Sequence, residues 1–418
     1  MNALDASSAL SPAAQADSNQ LRCLWVTRLV PYPPFVGGDA TYSVRMIQSL
    51  SAAGADVTVL CHEQGGPSPP RSTGVEWVTV PLRDLAPAKS LFGLRPSIVY
   101  RFSTPQIRTA LRVLLRDRSW DALLIDNVAM AGTLEPRDQF VRDGRPWIIV
   151  YVSHNHEASV RRQLAASAPR GSPRRVALLW DAAKASRVER RLVEMADLVT
   201  VNTEHDAELY RRQASDQRFV VLTPGYDGPR LPRRVLDEMT PRRITVLGSY
   251  GWVAKQRNLW RFLDAAAEPL RQVGIGIDVV GSGPDRFTER LRLAFPNVAV
   301  TGTVDHVQPY LAKSRMGVVA EEIGGGFKHK VLSYVFNRVP VACLTGSVEG
   351  APLVPGESIL EFADLASLVE GVIRSIDNFA LLNDLQRAAY MACADHFEWA
   401  DRGRVLAETL RGLRDSRS

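Results

Sequence analysis

Glu321-Glu322-Ile323-Gly324-Gly325-Gly326-Phe327-Lys328-His329-Lys330-Val331-Leu332 is the stretch on which the fold turns. A short apolar run over 317–320 precedes it and reads as a strand. Beyond the glycines, the spacing predicts a helix over 327–336. Asn337 is expected to end that helix in the left-handed conformation, with Pro340 shortly after it, and residues 339–344 read as the next strand. Strand, glycine-rich loop, helix and strand in this order are the unit of a doubly wound parallel α/β sheet. Three glycines let backbone N–H groups approach a ligand closely, and the helix that follows offers unpaired N–H groups and a positive dipole end to an anion. Lys328 and Lys330 in the first turn are unfavourable beside that dipole unless something negative lies there. A diphosphate satisfies the conflict; the plainer alternative is a flexible turn followed by a solvated basic helix.

The same alternation extends in both directions. Downstream of the middle of the chain, strands are expected over 244–247, 276–280 and 298–301. Helices are expected over 258–271, 307–313, 365–376, 379–393 and 399–413. Upstream, strands are expected over 21–27, 56–61, 75–80, 122–126, 147–152, 198–202 and 219–223. Helices are expected over 41–53, 105–116 and 177–195. In the helix over 41–53, Val44, Ile47 and Leu50 share one face and Gly54 stops it. The Ala/Pro/Arg/Ser-rich segment 165–175 reads as a mobile loop, and the Pro- and Arg-rich 224–243 region as the connection between domains. The organisation expected is a leader at 1–20, an N-terminal Rossmann-like domain at 21–228 and a linker at 229–243. A C-terminal Rossmann-like domain at 244–396 follows, then a closing segment at 397–418. Ligands of such sheets bind beyond the carboxyl ends of the strands, so the two sheets are expected to face a cleft.

Bulk composition agrees. The chain has 418 residues, too many for one ordinary core, with 45% hydrophobic and 23% charged residues. The net charge of +6 permits attraction to phosphates or to an anionic membrane surface. The basic residues are spread, and no zinc finger, RNA-recognition signature or basic arm points to nucleic acid. The four cysteines lack CxxC spacing, so neither a disulfide framework nor a zinc site is expected. The first 20 residues lack the basic start and apolar stretch of a signal peptide. No segment approaches the ~20 apolar residues of a membrane span. A cytoplasmic protein follows, with any membrane contact peripheral at the inner face.

Three further loops stand directly after expected strands. Gly37-Gly38-Asp39 is either a plain strand-to-helix turn or a pair of backbone donors facing the sugar or phosphates; it is neither a G-x-G-x-x-G nor a Walker A pattern. Gly248-Ser249-Tyr250-Gly251-Trp252 leads to Lys255 and Arg257, either of which suits a diphosphate clamp or an ordinary surface cation. Ser153-His154-Asn155-His156-Glu157 lacks a third metal ligand nearby, and hydrogen bonding to sugar hydroxyls suits His154 better. No G-x-S-x-G elbow, H-E-x-x-H or nucleophilic cysteine context supports a hydrolase.

Taken in order, these landmarks resemble the family-four retaining glycosyltransferases of GT-B fold. The likeness runs from Leu21 to about Leu413. It is carried by Pro31–Gly38, Ser153–Glu157, Thr223-Pro224-Gly225-Tyr226-Asp227, Gly248-Ser249 with Trp252 and Asn258, and Gly281-Ser282-Gly283-Pro284. It continues through Gly324–Leu332, Pro340-Val341, Glu349-Gly350 and Phe397-Glu398-Trp399. The chain departs from the family at the two glutamates that usually flank the glycines: Gly325 stands at the first position and Ser333 at the second, which typically holds the nucleotide ribose. Glu322 is a candidate substitute for the first.

The resemblance implies transfer from a nucleoside-diphosphate sugar to an acceptor hydroxyl with retention, without metal or other cofactor. The acceptor would be a saccharide, a lipid-linked sugar or a small molecule of polysaccharide, glycolipid or secondary-metabolite synthesis. His154, Lys255 and Lys328 are the catalytic residues it implies. Donor binding falls to Gly37, Gly38, Gly248, Ser249, Lys255, Gly324, Gly325, Gly326, Phe327, Lys328, Lys330 and Ser333. The last helix is expected to cross back onto the N-terminal domain. Two other readings remain open: a sugar-nucleotide epimerase on the same fold, and a non-catalytic subunit that binds sugar nucleotide.

Overall fold

The computed structural model describes residues 20–32, 37–63, 74–82, 87–135 and 147–417. The expected leader and the Pro33–Val36 part of the first loop lie outside these residues, apart from Gln20. Among the described residues thirteen strands form two sheets, and every strand pair is parallel. The first contains β1 (Leu21–Leu29), β2 (Ala55–Glu63), β3 (Val75–Pro81), β4 (Ala122–Asp126), β5 (Ile148–Val152), β6 (Leu198–Val201) and β7 (Phe219–Val221), in the order β3-β2-β1-β4-β5-β6-β7. The second contains β8 (Arg243–Leu247), β9 (Gly276–Val280), β10 (Val298–Val300), β11 (Met316–Val319), β12 (Val341–Leu344) and β13 (Leu360–Phe362), in the order β10-β9-β8-β11-β12-β13. Both are doubly wound, and each reverses direction once, between β1 and β4 and between β8 and β11. This is the two-domain Rossmann-like architecture of GT-B fold.

The central strands are largely apolar because both faces of each sheet are covered by helices there. β4, β5 and β6 are buried at every position. Each sheet separates two core layers. Trp25, Tyr42, Met46 and Leu50 lie on one side of the first sheet, and Leu24, Ile107, Leu123 and Tyr151 on the other. Phe262, Leu263 and Val279 lie on one side of the second, and Leu247, Leu332, Val335 and Phe336 on the other. All four cysteines are buried free thiols. Among the described residues no helix is long and apolar enough to cross a membrane.

Several boundaries differ from the sequence-based expectation. The helix after the glycine-rich loop is His329–Phe336, two residues shorter at its start, so Lys328 is its N-cap residue and only Lys330 lies in the first turn. Lys328 is held out of the helix by its bonds back to the loop carbonyls. The helix expected over 258–271 runs from Val253 to Gln272 and therefore carries Lys255 in its own first turn. Segment 165–175 is a loop only over 167–172: one helix covers Glu157–Ala166, and the next begins at Pro173 with Ser172 capping it. Asn337 keeps a negative φ of −92°. Arg338 takes the left-handed conformation instead, at φ 56°. Its guanidinium is anchored by the carbonyls of Leu231 and Pro232 and lies over the Tyr390 ring, which holds a conformation usually left to glycine or asparagine.

The segment between β7 and β8 has no regular structure but is stitched to the second domain. Asn383 brackets Leu236 through both its backbone N–H and its carbonyl, each at 2.9 Å. The last helix, Trp399–Asp415, buries Trp399, Leu406, Leu410 and Leu413 in the core of the first sheet. It packs closely on the first helix, Gly38–Ala52: a Cβ at Gly403 would lie 2.1 Å from the Ser49 carbonyl oxygen. A Gly403→Ala substitution is expected to push these helices apart and cost roughly 1–3 kcal/mol, read as a lower urea midpoint with an unchanged m-value; an unchanged midpoint would show that the contact is slack.

Candidate active site

The strands that flank the two points of reversal end in the polar residues of the site. β1 leads towards Gly37 and Gly38, β4 ends on Asp126, β8 leads into Gly248 and Ser249, and β11 leads through Ala320 into Glu321. These are the carboxyl ends where doubly wound sheets bind their ligands.

Glu321 organises the second domain's side. Its side chain is 8% exposed and sits among three lysines. Lys330 Nζ is hydrogen-bonded to Oε1, and Lys328 Nζ lies 3.9 Å from Oε2. Burial alone would raise the Glu321 pKa, but Lys330, Lys328 and Lys255 together pull it down to about 2. Lys328 also folds back on its own loop, donating to the Gly325 carbonyl at 2.7 Å and the Gly326 carbonyl at 3.2 Å. Lys255 is different. Burial lowers its pKa, Glu321 raises it, and the other two lysines lower it further, yet its ammonium makes no hydrogen bond or ion pair among the described residues. The helices that carry Lys255 and Lys330 both lack a side-chain cap at their N-termini. The conflict between lysines and helix dipole is thus met in part by Glu321, which leaves an excess of positive charge.

The first domain closes over the glycines. A Cβ on Gly326, whose φ is 63°, would lie 2.3 Å from the His154 carbonyl oxygen, so no other residue fits there without moving the loop. At Gly325 it would meet Val160 and Asn155 at 3.1 and 3.4 Å. Gly324 N–H donates to Gln163 Oε1 at 3.0 Å. Asn202 holds the His154 carbonyl from the other side, through Nδ2 at 3.1 Å. Nearer β1, Gly37 faces the Ser249 hydroxyl and Gly38 faces the His329 ring across the cleft. His329 is driven to a pKa of about 4 by burial and by Lys255 and His154, so it is neutral here.

His154 is pinned by Asp126. Its Nε2 lies 2.5 Å from Asp126 Oδ1, and its ring meets Tyr42 edge-on at 5.1 Å. The other Asp126 oxygen accepts from Trp25 Nε1 at 2.9 Å. Burial pushes the Asp126 carboxyl up, and His154 with its other donors brings it below its ordinary value. With Nε2 occupied, the ring offers only Nδ1 to a substrate. Behind this loop, buried Glu189 accepts from the backbone N–H groups of Glu157 and Ala158, both at 2.9 Å, and so fixes the start of the helix that follows His156.

The structure brings Lys255, Lys328, Lys330 and Gly324–Gly326 into one cluster and sets the His154 loop against it. Gly37, Gly38, Gly248 and Ser249 line the neighbouring edge. Phe327 points away into the core, where it packs near Gly350 and Phe397. Ser333 lies farther along the helix beside the Tyr226 hydroxyl, which Asn337 Nδ2 also approaches at 3.2 Å. Arg257 is drawn off to the Ser167 hydroxyl. Glu322 does not face the loop; it pairs with Arg261 at 2.8 Å. The sequence reading put forward Glu322 and passed over Glu321 and Asp126, although both stand at the polar end of an apolar strand. Among the described residues no group of three or more His, Cys, Asp or Glu is placed to hold a metal ion.

Residues 37–225 match the family model of the glycosyl transferase 4-like domain, and residues 241–378 match that of glycosyl transferases group 1. Together the two matches span most of the chain. No curated protein matches the sequence. Among solved structures, the chain is similar to sucrose-phosphate synthase (tll1590) from Thermosynechococcus elongatus, with a TM-score of 0.67 at 16% identity over 95% of this chain and 100% of that one. It is similar to Anabaena HepE (Alr3699) in complex with UDP and glucose, with a TM-score of 0.60 at 12% identity over 94% and 99%. It is also similar to WaaG, a glycosyltransferase involved in lipopolysaccharide biosynthesis, with a TM-score of 0.58 at 15% identity over 94% and 98%.

The Glu321 pKa has a measurable consequence. A carboxylate held at about 2 in the fold, against 4.5 ordinarily, stabilises the protein in full above pH 4.5, and that contribution is lost as the pH falls towards 2. Glu321→Gln is expected to be less stable than the parent at neutral pH by on the order of 3 kcal/mol, with the two converging across that acid window. Parallel urea curves at every pH would contradict the ion cluster.

Proposed function

We propose that this chain, a glycosyltransferase of GT-B fold, moves a sugar from a nucleoside-diphosphate sugar to an acceptor hydroxyl with retention at the anomeric carbon. One observation carries the donor assignment: Lys255, Lys328 and Lys330 gather around a single buried carboxylate, and the Lys255 ammonium has no hydrogen-bond or ion-pair partner among the described residues. Three cations and one anion leave an excess of two positive charges. The bridging diphosphate of a sugar nucleotide, with one negative charge on each phosphate, is the matching ligand.

In this reading the diphosphate lies between Lys255 and the glycine-rich loop. Lys328 turns from the Gly325 and Gly326 carbonyls towards it, and the two uncapped helix ends add their dipoles. As the bond from C1 to the phosphate oxygen breaks, its electron pair leaves with the nucleoside diphosphate, and the lysines stabilise the growing charge. The acceptor oxygen attacks C1 from the same face and passes its proton to the departing phosphate oxygen. The chain's contribution is mainly position and field. His154, oriented by Asp126, is left with Nδ1 for a sugar hydroxyl; Gly37 and Gly38 face the same space from the first domain. Gly248 and Ser249 border the diphosphate, and Ser333 with Tyr226 receives the ribose where related enzymes use a carboxylate. The lysines take the part a divalent ion plays elsewhere, so neither metal nor cofactor is needed. The acceptor is a saccharide, a lipid-linked sugar or a small molecule. Neither matched domain model is that of an epimerase.

A thermal-shift screen with UDP-, GDP- and dTDP-sugars tests the donor. One of them is expected to stabilise the protein, by about 2.7 kcal/mol at a hundred times its Kd, and stabilisation by none would overturn the assignment. With that donor, Lys255→Ala and Lys328→Ala are each expected to lower kcat by on the order of 10²–10³-fold. Unchanged transfer in both variants would remove the lysines from the mechanism.

A further inference from the structure

The first domain carries an apolar protrusion that neither core nor cleft uses. Phe92 is 95% and Leu94 81% exposed, at the end of a short 3-10 turn, Pro87–Phe92, and just past it. The turn is fastened to the helix Pro173–Met195: Lys184 Nζ donates to the Ser90 carbonyl at 2.7 Å and the Gly93 carbonyl at 3.3 Å, and Trp180 Nε1 to the Leu91 carbonyl at 3.3 Å. Val176, Leu179 and Trp180 of that helix are themselves 64%, 46% and 47% exposed.

The exposed side of this helix is divided along its length. Its first half shows Val176, Leu179, Trp180 and Ala183, and its second half Arg187, Arg190 and Arg191, all on one face at helical spacing. Two of the helix's three acids are turned inward. Asp181 is buried and holds Arg161 and Ser97, and Glu189 is buried beneath the His154 loop, so only Glu194 opposes the arginines on the surface. Arg170 and Arg174, at the helix start, add two more exposed cations. None of these five arginines forms an ion pair with a described residue.

We propose that this face docks on the surface of an anionic lipid bilayer, with Phe92, Leu94 and Trp180 entering the boundary between headgroups and acyl chains. A convex apolar tip beside uncompensated arginines fits a bilayer, which accepts protruding side chains anywhere on its plane and supplies the negative charge. A folded partner would need a matching hollow and counter-charges of its own. The face adjoins the cleft: Ser167, just before this helix, accepts a hydrogen bond from Arg257 of the second domain. Docking there brings the acceptor side of the cleft to lipid-borne hydroxyls. That purpose rests on the transferase reading, whereas the docking itself does not.

The test is co-sedimentation of the full chain with vesicles of phosphatidylcholine alone and of phosphatidylcholine with phosphatidylglycerol, without donor or acceptor. The protein is expected to pellet with the anionic vesicles and to be released by high salt. The double variant Phe92→Ser/Leu94→Ser is expected to bind roughly tenfold more weakly, and Arg187→Glu/Arg190→Glu likewise, both with an unchanged melting temperature because these side chains are exposed. Failure of the parent to pellet, or undiminished pelleting of both variants, overturns the proposal. So does gel filtration in which the parent is a dimer and the Phe92→Ser/Leu94→Ser variant a monomer, since the patch then serves a second copy of the chain. Donor stabilisation in the thermal-shift screen is independent of all these outcomes, so failure of docking and failure of the transferase reading are distinguishable.

Discussion

A buried carboxylate surrounded by more positive charge than it can neutralise is the constraint around which the site is built. Glu321 follows β11 at the point where the second sheet reverses direction, and the lysines around it come from two helix starts and the loop between strand and helix. Without Glu321, three ammonium groups would crowd beside two positive helix ends in a partly desolvated cleft. With it, the cluster is tolerable but not neutral. In the proposed function, the remaining charge is what a diphosphate answers.

The first domain answers this arrangement with backbone. The His154 carbonyl approaches Gly326 so closely that the loop after β5 and the glycine-rich loop must be placed together. That loop is fixed by Asp126 through the His154 ring, by Asn202 through its carbonyl and by Glu189 through the helix that follows. The last helix, packed into the first sheet's core after the second domain is complete, ties the same two bodies from the opposite side. The contacts at Gly38, Gly324 and Gly326 thus join the two domains through elements that also carry candidate site residues.

Much of the fold was legible because parallel strands covered on both faces are continuous apolar runs, and because glycine, proline and asparagine punctuate them. The glycine-rich loop stood out for the same reason. What escaped was where each helix begins. Lys328 is outside its helix because its ammonium bonds the loop carbonyls, and Lys255 is inside one because Val253–Arg257 is helical despite a weak apolar pattern; neither effect is visible in periodicity. Of the two adjacent glutamates, the sequence offers no means to tell that Glu321 turns to the lysines while Glu322 turns to Arg261. The pairing of Asp126 with His154 joins strands separated in sequence and depends on their being neighbours in the sheet. The left-handed residue at the end of the loop helix, Arg338 rather than Asn337, is held by contacts to the distant segment at Leu231 and Pro232.

The central claim is that the surplus charge beside Glu321 awaits a diphosphate. A crystal structure of the protein with a bound nucleoside diphosphate tests it most directly. The account predicts the phosphates within hydrogen-bond reach of Lys255 Nζ, with Lys328 turned away from the Gly325 and Gly326 carbonyls and Glu321 still paired with Lys330. A nucleotide bound elsewhere, or one whose phosphates leave the Lys255 ammonium without a contact, would contradict it.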